Sequence, residues 1–126
     1  MKRFKISFEN LAFPSFKEDE LLKCIIDLVK LERDWMPKKP KHSLYIRPTG
    51  IAMENSLGVK AAGAVKLFVI VSPVGPYYPS GFKPVSIYTS LDHVRAWPNG
   101  NGDKKLGANY GPTINPALKV QKKGYD

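Results

Sequence analysis

The residues best suited to chemistry lie in one stretch, Gly102-Asp103-Lys104-Lys105-Leu106-Gly107-Ala108-Asn109-Tyr110-Gly111-Pro112, where Lys105 precedes Tyr110 by five positions. Glycine and asparagine tolerate unusual dihedrals, so such a loop brings backbone close to a bound ligand. A lysine held there can form a Schiff base with a carbonyl compound, and a nearby phenol can hydrogen-bond the same ligand's ring. For that chemistry the amine must be deprotonated near neutral pH. Burial or a neighbouring cation must therefore lower its pKa from about 10.4. Lys104 is a candidate for that cation, and spacing alone leaves Lys104 and Lys105 both open as the reacting amine. An irregular loop of about 15 residues is uncommon in a compact domain unless it has a function.

Two further positions stand out. Tyr45 and Arg47 are two apart in an alternating segment and so share one face of a strand. Taken alone, that face reads as half-exposed surface. With other residues opposite, it is a wall of a substrate pocket. Arg3 would pass for an N-terminal surface charge, yet arginine's planar donor fork is the best phosphate-binding group among side chains. His42 and His93 lie far apart and make no metal-ligand pattern, and there is no G-x-S-x-G segment and no catalytic cysteine context. No metal is expected.

The bulk properties narrow the classes. The chain has 126 residues, the length of one domain, with 43% hydrophobic content. Its net charge is +9, from 20 Lys and Arg against 11 Asp and Glu. Sixteen of the 20 are lysines, spread along the chain, and the arginines are Arg3, Arg33, Arg47 and Arg95. Scattered lysines without an aromatic-basic stacking platform argue against nucleic-acid binding. They fit a solvated surface with some attraction for anionic ligands. The longest apolar runs, near Val65–Val71, are far short of the ~20 residues that span a bilayer, and the basic start lacks a signal-peptide core. Cys24 is the single cysteine, which fits a reducing compartment.

The elements that must position these residues read as follows. Phe4, Phe8 and Leu11 recur at helical spacing, and Pro14 ends that helix. Ser15 with Glu18 forms the pattern of a capping box, predicting a helix from Ser15 to about Trp35 with Cys24 on its apolar face. Ser43–Pro48 alternates as a strand, 53–63 is a Gly/Ala-rich connection, and Lys66–Ser72 reads as a central strand. A Pro/Tyr segment follows from Pro73. Val85–Thr89 alternates as the entry to a second sheet, residues 91–97 read as a helical turn, and the tail from Thr113 carries one apolar face interrupted by Pro116. The order is helices, strands, a linker, then the opening of a second sheet.

Five segments, in order, resemble one family: Leu44-Tyr45-Ile46-Arg47-Pro48, Asn55-Ser56-Leu57-Gly58-Val59, Ser72-Pro73-Val74-Gly75-Pro76-Tyr77, Val94-Arg95-Ala96-Trp97 and Lys105-Leu106-Gly107-Ala108-Asn109-Tyr110. Together they look like the branched-chain amino-acid aminotransferases, the fold-type IV pyridoxal-phosphate transaminases. The resemblance covers essentially the whole chain but only the middle part of a family member, so a fragment is expected. It implies an α/β (α+β) fold: a small domain over 1–75 with helices packed on an open sheet, an interdomain loop at 76–84, and the truncated beginning of a larger mixed-sheet domain at 85–126.

By the same resemblance, Lys105 is the lysine that bonds covalently to pyridoxal 5'-phosphate and shuttles the substrate proton, and Tyr110 binds the cofactor's phenolic oxygen. Arg3 holds its phosphate. Tyr45 and Arg47 line the substrate pocket, Leu57 and Val59 reach the partner's site in a homodimer, and Tyr77 shields the site from the interdomain loop. Ala108 replaces the family's usual glycine. The implied reaction is transamination of leucine, isoleucine or valine with 2-oxoglutarate, giving glutamate, in a cytoplasmic or mitochondrial setting. The family's glutamate partner of the pyridine nitrogen does not fall within these 126 residues, so the chain alone is expected to be weakly active or inactive. The alternative is a non-catalytic basic α/β fragment that binds anions or pairs with a full-length subunit.

Overall fold

A computed structural model describes residues 1–78 and 81–125; Pro79, Ser80 and Asp126, which fall in the expected interdomain loop and at the end of the expected larger domain, lie outside the described residues. The chain divides into two compact units, Met1–Gly81 and Phe82–Asp126.

The first unit is two helices and a β-hairpin, the mixed α/β character expected. Helix α1 spans Lys2–Asn10. Its phenylalanines sit one turn apart, so Phe4 and Phe8 stack edge-on with centroids 4.8 Å apart, and Phe13 and Phe16 close around Phe8 at 5.3 and 5.0 Å. The chain leaves the helix through Ala12, in the left-handed region at φ 52°, and the Phe13 N–H donates back to the Phe8 carbonyl. That reversal returns Phe13 and Phe16 to the same cluster.

Helix α2 spans Glu18–Leu31. The capping box expected at Ser15 is not formed: Lys17 is the N-cap and no side chain caps the helix. Glu18, Asp19 and Glu20 in the first turn meet the positive end of the helix dipole instead. Lys17 pairs with Glu20, and Lys5 of α1 reaches Glu18 at 3.3 Å. The helix also ends sooner than expected. Arg33–Trp35 tighten into a separate 3-10 turn ahead of Pro37. Cys24, expected on the apolar face, is exposed, although it lies one turn from Leu21, the buried residue of this helix.

Strands β1, Ser43–Ala52, and β2, Val65–Val74, pair antiparallel along their full length, from Ser43 opposite Val74 to Ala52 opposite Val65. The alternation expected over Ser43–Pro48 thus runs further. The second strand, read as central, has one partner among the described residues. A Cβ on Gly50 would run into the Phe8 ring. This contact fixes which sheet face α1 covers. By alternation Leu44, Ile46 and Pro48 share that covered face, and Tyr45 and Arg47 lie on the opposite one.

In the second unit, the residues expected to start a second sheet, Val85–Thr89, form no strand, and residues 91–97 form no helical turn. Alternation makes a strand only where a neighbour completes its ladder, and among the described residues none pairs with 85–89. The unit holds 3-10 turns at Gly107–Asn109 and Gly111–Thr113 and helix α3, Ile114–Gln121. Pro116 falls in the first turn of α3, where its missing N–H costs nothing.

Among the described residues the buried hydrophobic ones are Phe8, Leu21, Ala62 and Leu106. A chain of this length can bury far more; here large side chains such as Ile51, Ile70, Val85, Ile87 and Leu91 stay exposed. Among the described residues no helix is long and apolar enough to cross a membrane, and no group of three or more metal-ligating side chains forms.

Candidate functional site

The lysine loop is held from inside. A 3-10 turn repeats every three residues, so side chains at i and i+3 stack on one side. Leu106 and Asn109 are such a pair, and both are buried, each 7% exposed. The Asn109 amide donates to the Asn101 carbonyl at 2.6 Å and to the Lys104 carbonyl at 2.8 Å, which staples the loop's two limbs together. Lys105 and Tyr110 flank these anchors and point outward. Lys105 Nζ donates to Tyr110 Oη at 2.6 Å and lies 4.1 Å from that ring's centroid. The five-residue spacing therefore becomes a direct amine–phenol contact.

The two lysines, open alternatives in the sequence, are placed differently. Lys104 Nζ donates to both carboxylate oxygens of Asp103, at 2.8 and 3.0 Å. This bond is the main reason the Asp103 carboxyl is held below its usual pKa. Lys104 is thus tied to a counter-charge, and Lys105 is the amine facing the phenol. Ala108 sits in the 3-10 turn outside the left-handed region, so alanine fits where the family pattern has glycine.

In the first unit, Arg47 lies with its guanidinium carbon 5.2 Å from the Tyr45 ring centroid. Both project from the uncovered sheet face, where Ile70, the cross-strand partner of Arg47, is also exposed. This is a wall with a cation, a phenol and apolar surface. Arg3 is exposed on α1, where its backbone carbonyl accepts from Ser7 Oγ. Leu57 and Val59 are fully exposed at the tip of the β1–β2 loop. Tyr77 is exposed and packs edge-on against Tyr78 at 4.9 Å. An open groove of about 560 Å³, with Trp35, Met36, His42 and Val74 among its walls, contains none of these residues.

Asn109 was part of the motif in the sequence but had no role there. Its signal was available: a polar residue three positions after a leucine in a loop of small residues, the i, i+3 pattern of an inward-facing pair.

Comparison with curated proteins finds relatives that match nearly the whole chain. The chain is 49% identical over 125 residues to a branched-chain-amino-acid aminotransferase of Dictyostelium discoideum, covering 99% of this chain and 33% of that protein. It is 48% identical over 115 residues to the cytosolic enzyme of Mus musculus, covering 90% and 30%, and 45% identical over 125 residues to the mitochondrial enzyme of Saccharomyces cerevisiae, covering 99% and 32%. This chain is a homologue of the branched-chain-amino-acid aminotransferases. It spans about a third of the length of these relatives. No family model matches it. The relatives include cytosolic and mitochondrial forms.

The residues of the lysine loop fit the cofactor that such a family implies. Lys105 offers an outward-facing primary amine beside a phenol, the type of group that reacts with an aromatic aldehyde, but it is exposed and Lys104, the expected neighbouring cation, is paired with Asp103.

Proposed function

We propose that this chain contributes the reacting lysine and part of the binding surface of a pyridoxal-phosphate-dependent transaminase that acts on leucine, isoleucine and valine with 2-oxoglutarate. The observation that carries this reading is the 2.6 Å contact of Lys105 Nζ with Tyr110 Oη on the Asn109-stapled loop. When bound, pyridoxal 5'-phosphate supplies an aldehyde for amine capture and an aromatic ring that accepts electron density.

Lys105 would hold that group covalently, and its free amine would act as the base that takes the proton from the substrate Cα. Tyr110 orients the Lys105 amine and offers its phenol to the ring oxygen. The Arg3 guanidinium neutralises the phosphate. Tyr45 and the apolar surface beside it receive the branched side chain, while Arg47 accommodates the carboxylate that distinguishes glutamate from leucine. Tyr77 excludes water. Leu57 and Val59 complete the pocket of a second copy in a homodimer. The proposed compartment is cytoplasmic, with the mitochondrion as the alternative; exposed, unpaired Cys24 fits a reducing environment.

Covalent capture tests this reading. The chain is mixed with pyridoxal 5'-phosphate, reduced with borohydride and digested, and the modified peptides are mapped. Label concentrated on Lys105, and lost from that peptide in Lys105→Met, is the expected result. Label scattered among the 16 lysines sinks the proposal and favours a non-catalytic anion-binding fragment. Tyr110→Phe keeps the ring but removes the hydrogen-bonding oxygen. Capture at Lys105 should fall by roughly two- to tenfold, the worth of one such bond, measured as the label fraction at a fixed cofactor concentration.

A further inference from the structure

We propose that Glu54 and Lys60 are positioning residues that clamp the β1–β2 loop into a preformed finger presenting Leu57 and Val59; the second copy as its occupant rests on the transaminase reading above, whereas the clamp does not.

The loop is long for a hairpin. Connections of this kind usually take 2–5 residues. Here the ladder continues past Ala52 and Val65 through the Met53 N–H and the Ala64 carbonyl at 2.9 Å, and then stops. Side chains take over from the backbone at that point. One oxygen of the Glu54 carboxylate accepts the Gly63 N–H, and the other meets Lys60 Nζ at 3.1 Å. Lys60 Nζ also donates to Ser56 Oγ at 2.6 Å. A single carboxylate therefore ties the two limbs across the base of the loop, and a single ammonium ties that carboxylate to the limb rising to the tip. Ala62, next to Gly63 in the chain, is buried.

The tip is shaped to project. Gly58 sits at φ 111°, a conformation that a side chain would resist, and it turns the chain between Leu57 and Val59. Both of those side chains are fully exposed. Two apolar residues on an unrestrained loop would pay their ordering entropy on docking. A finger ordered beforehand avoids that cost.

The clamp has an electrostatic signature. The Gly63 N–H, and next the Lys60 side chain, hold the Glu54 carboxyl below its usual pKa of 4.5, and the Ala64 N–H adds to this. Lys60 is the charged side chain in contact with it. Because the folded pKa is depressed, the clamp is complete above 4.5 and is lost as the pH falls through the lower folded value.

The test is residue-resolved amide exchange on the chain. In Glu54→Ala, which removes the acceptor, protection of the Gly63 amide should drop by roughly tenfold, while the ladder amides of β1 and β2 keep theirs. Lys60→Met should lose part of that protection and Lys60→Arg should keep it. In the parent, the Gly63 amide shift should titrate with a midpoint below 4.5, and that titration should vanish in Glu54→Gln. Unchanged Gly63 protection in Glu54→Ala, or loss of the whole ladder together with it, overturns the clamp. Label at Lys105 in the same samples reads the transaminase proposal separately.

Discussion

Gly50→Ala should lower the stability of the first unit by about 1–3 kcal/mol, as overpacking of a filled site typically does. The methyl group would enter space that the Phe8 ring occupies. The ring has little room to yield, because Phe4, Phe13 and Phe16 surround it with centroids 4.8–5.3 Å away. Phe8 is 5% exposed, and removing it altogether in Phe8→Ala should cost about 3–5 kcal/mol. The two effects share one contact and so cannot add. Phe8→Leu in the Gly50→Ala background should cost less than the sum of the single changes, because the smaller side chain vacates the space the methyl needs. Urea unfolding of the four proteins measures this directly. Additive losses would show that the helix does not lie against the sheet at Gly50.

Asn109→Ala should destabilise the second unit by about 1–3 kcal/mol, the worth of the two hydrogen bonds its buried amide donates. The Asn101 and Lys104 carbonyls both lose the side-chain amide that links them, although the Asn101 carbonyl keeps the Lys104 N–H at 3.0 Å. The local effect should be larger than the global one. Without the staple, Lys105 and Tyr110 are no longer held at contact distance, so capture of an aldehyde should spread from Lys105 to other lysines.

Asn109→Asp sharpens the test. An ionised carboxylate would face two carbonyl oxygens and donate to neither, so burial and repulsion raise its folded pKa above the unfolded value of about 3.9. The penalty is therefore small below about pH 3.9, grows as the pH rises through that value, and is complete above the folded pKa. Thermal unfolding of the variant from pH 3 to 8 should show this slope on top of the parent's own. A flat difference between the two would mean that the amide at position 109 does not donate to these carbonyls.

Much of the fold was legible because its signals are local. Phe4 and Phe8 sit one helical turn apart, and the face they share is the face that packs. Alternation at Tyr45 and Arg47 placed them together on a strand, where they lie. The illegible parts depended on neighbours. The Ser15–Glu18 pattern is a capping signal, but an acidic first turn and the Lys5–Glu18 pair stabilise a later start. Val85–Thr89 alternates as a strand does, yet a strand exists only with a partner, and periodicity carries no information about who that partner is.

The lysine loop shows the same division. Residue types and their order were enough to reveal the aminotransferase resemblance and to single out a lysine five positions before a tyrosine, because motif and spacing are properties of the chain alone. Spacing left Lys104 and Lys105 both open and the resemblance pointed to Lys105; how the two amines are placed needed three dimensions. A 3-10 turn buries Leu106 and Asn109 together, Asp103 draws Lys104 aside, and the amine that remains facing Tyr110 is that of Lys105. Side-chain direction follows from which groups are buried and which charges are paired, and neither is written in the spacing.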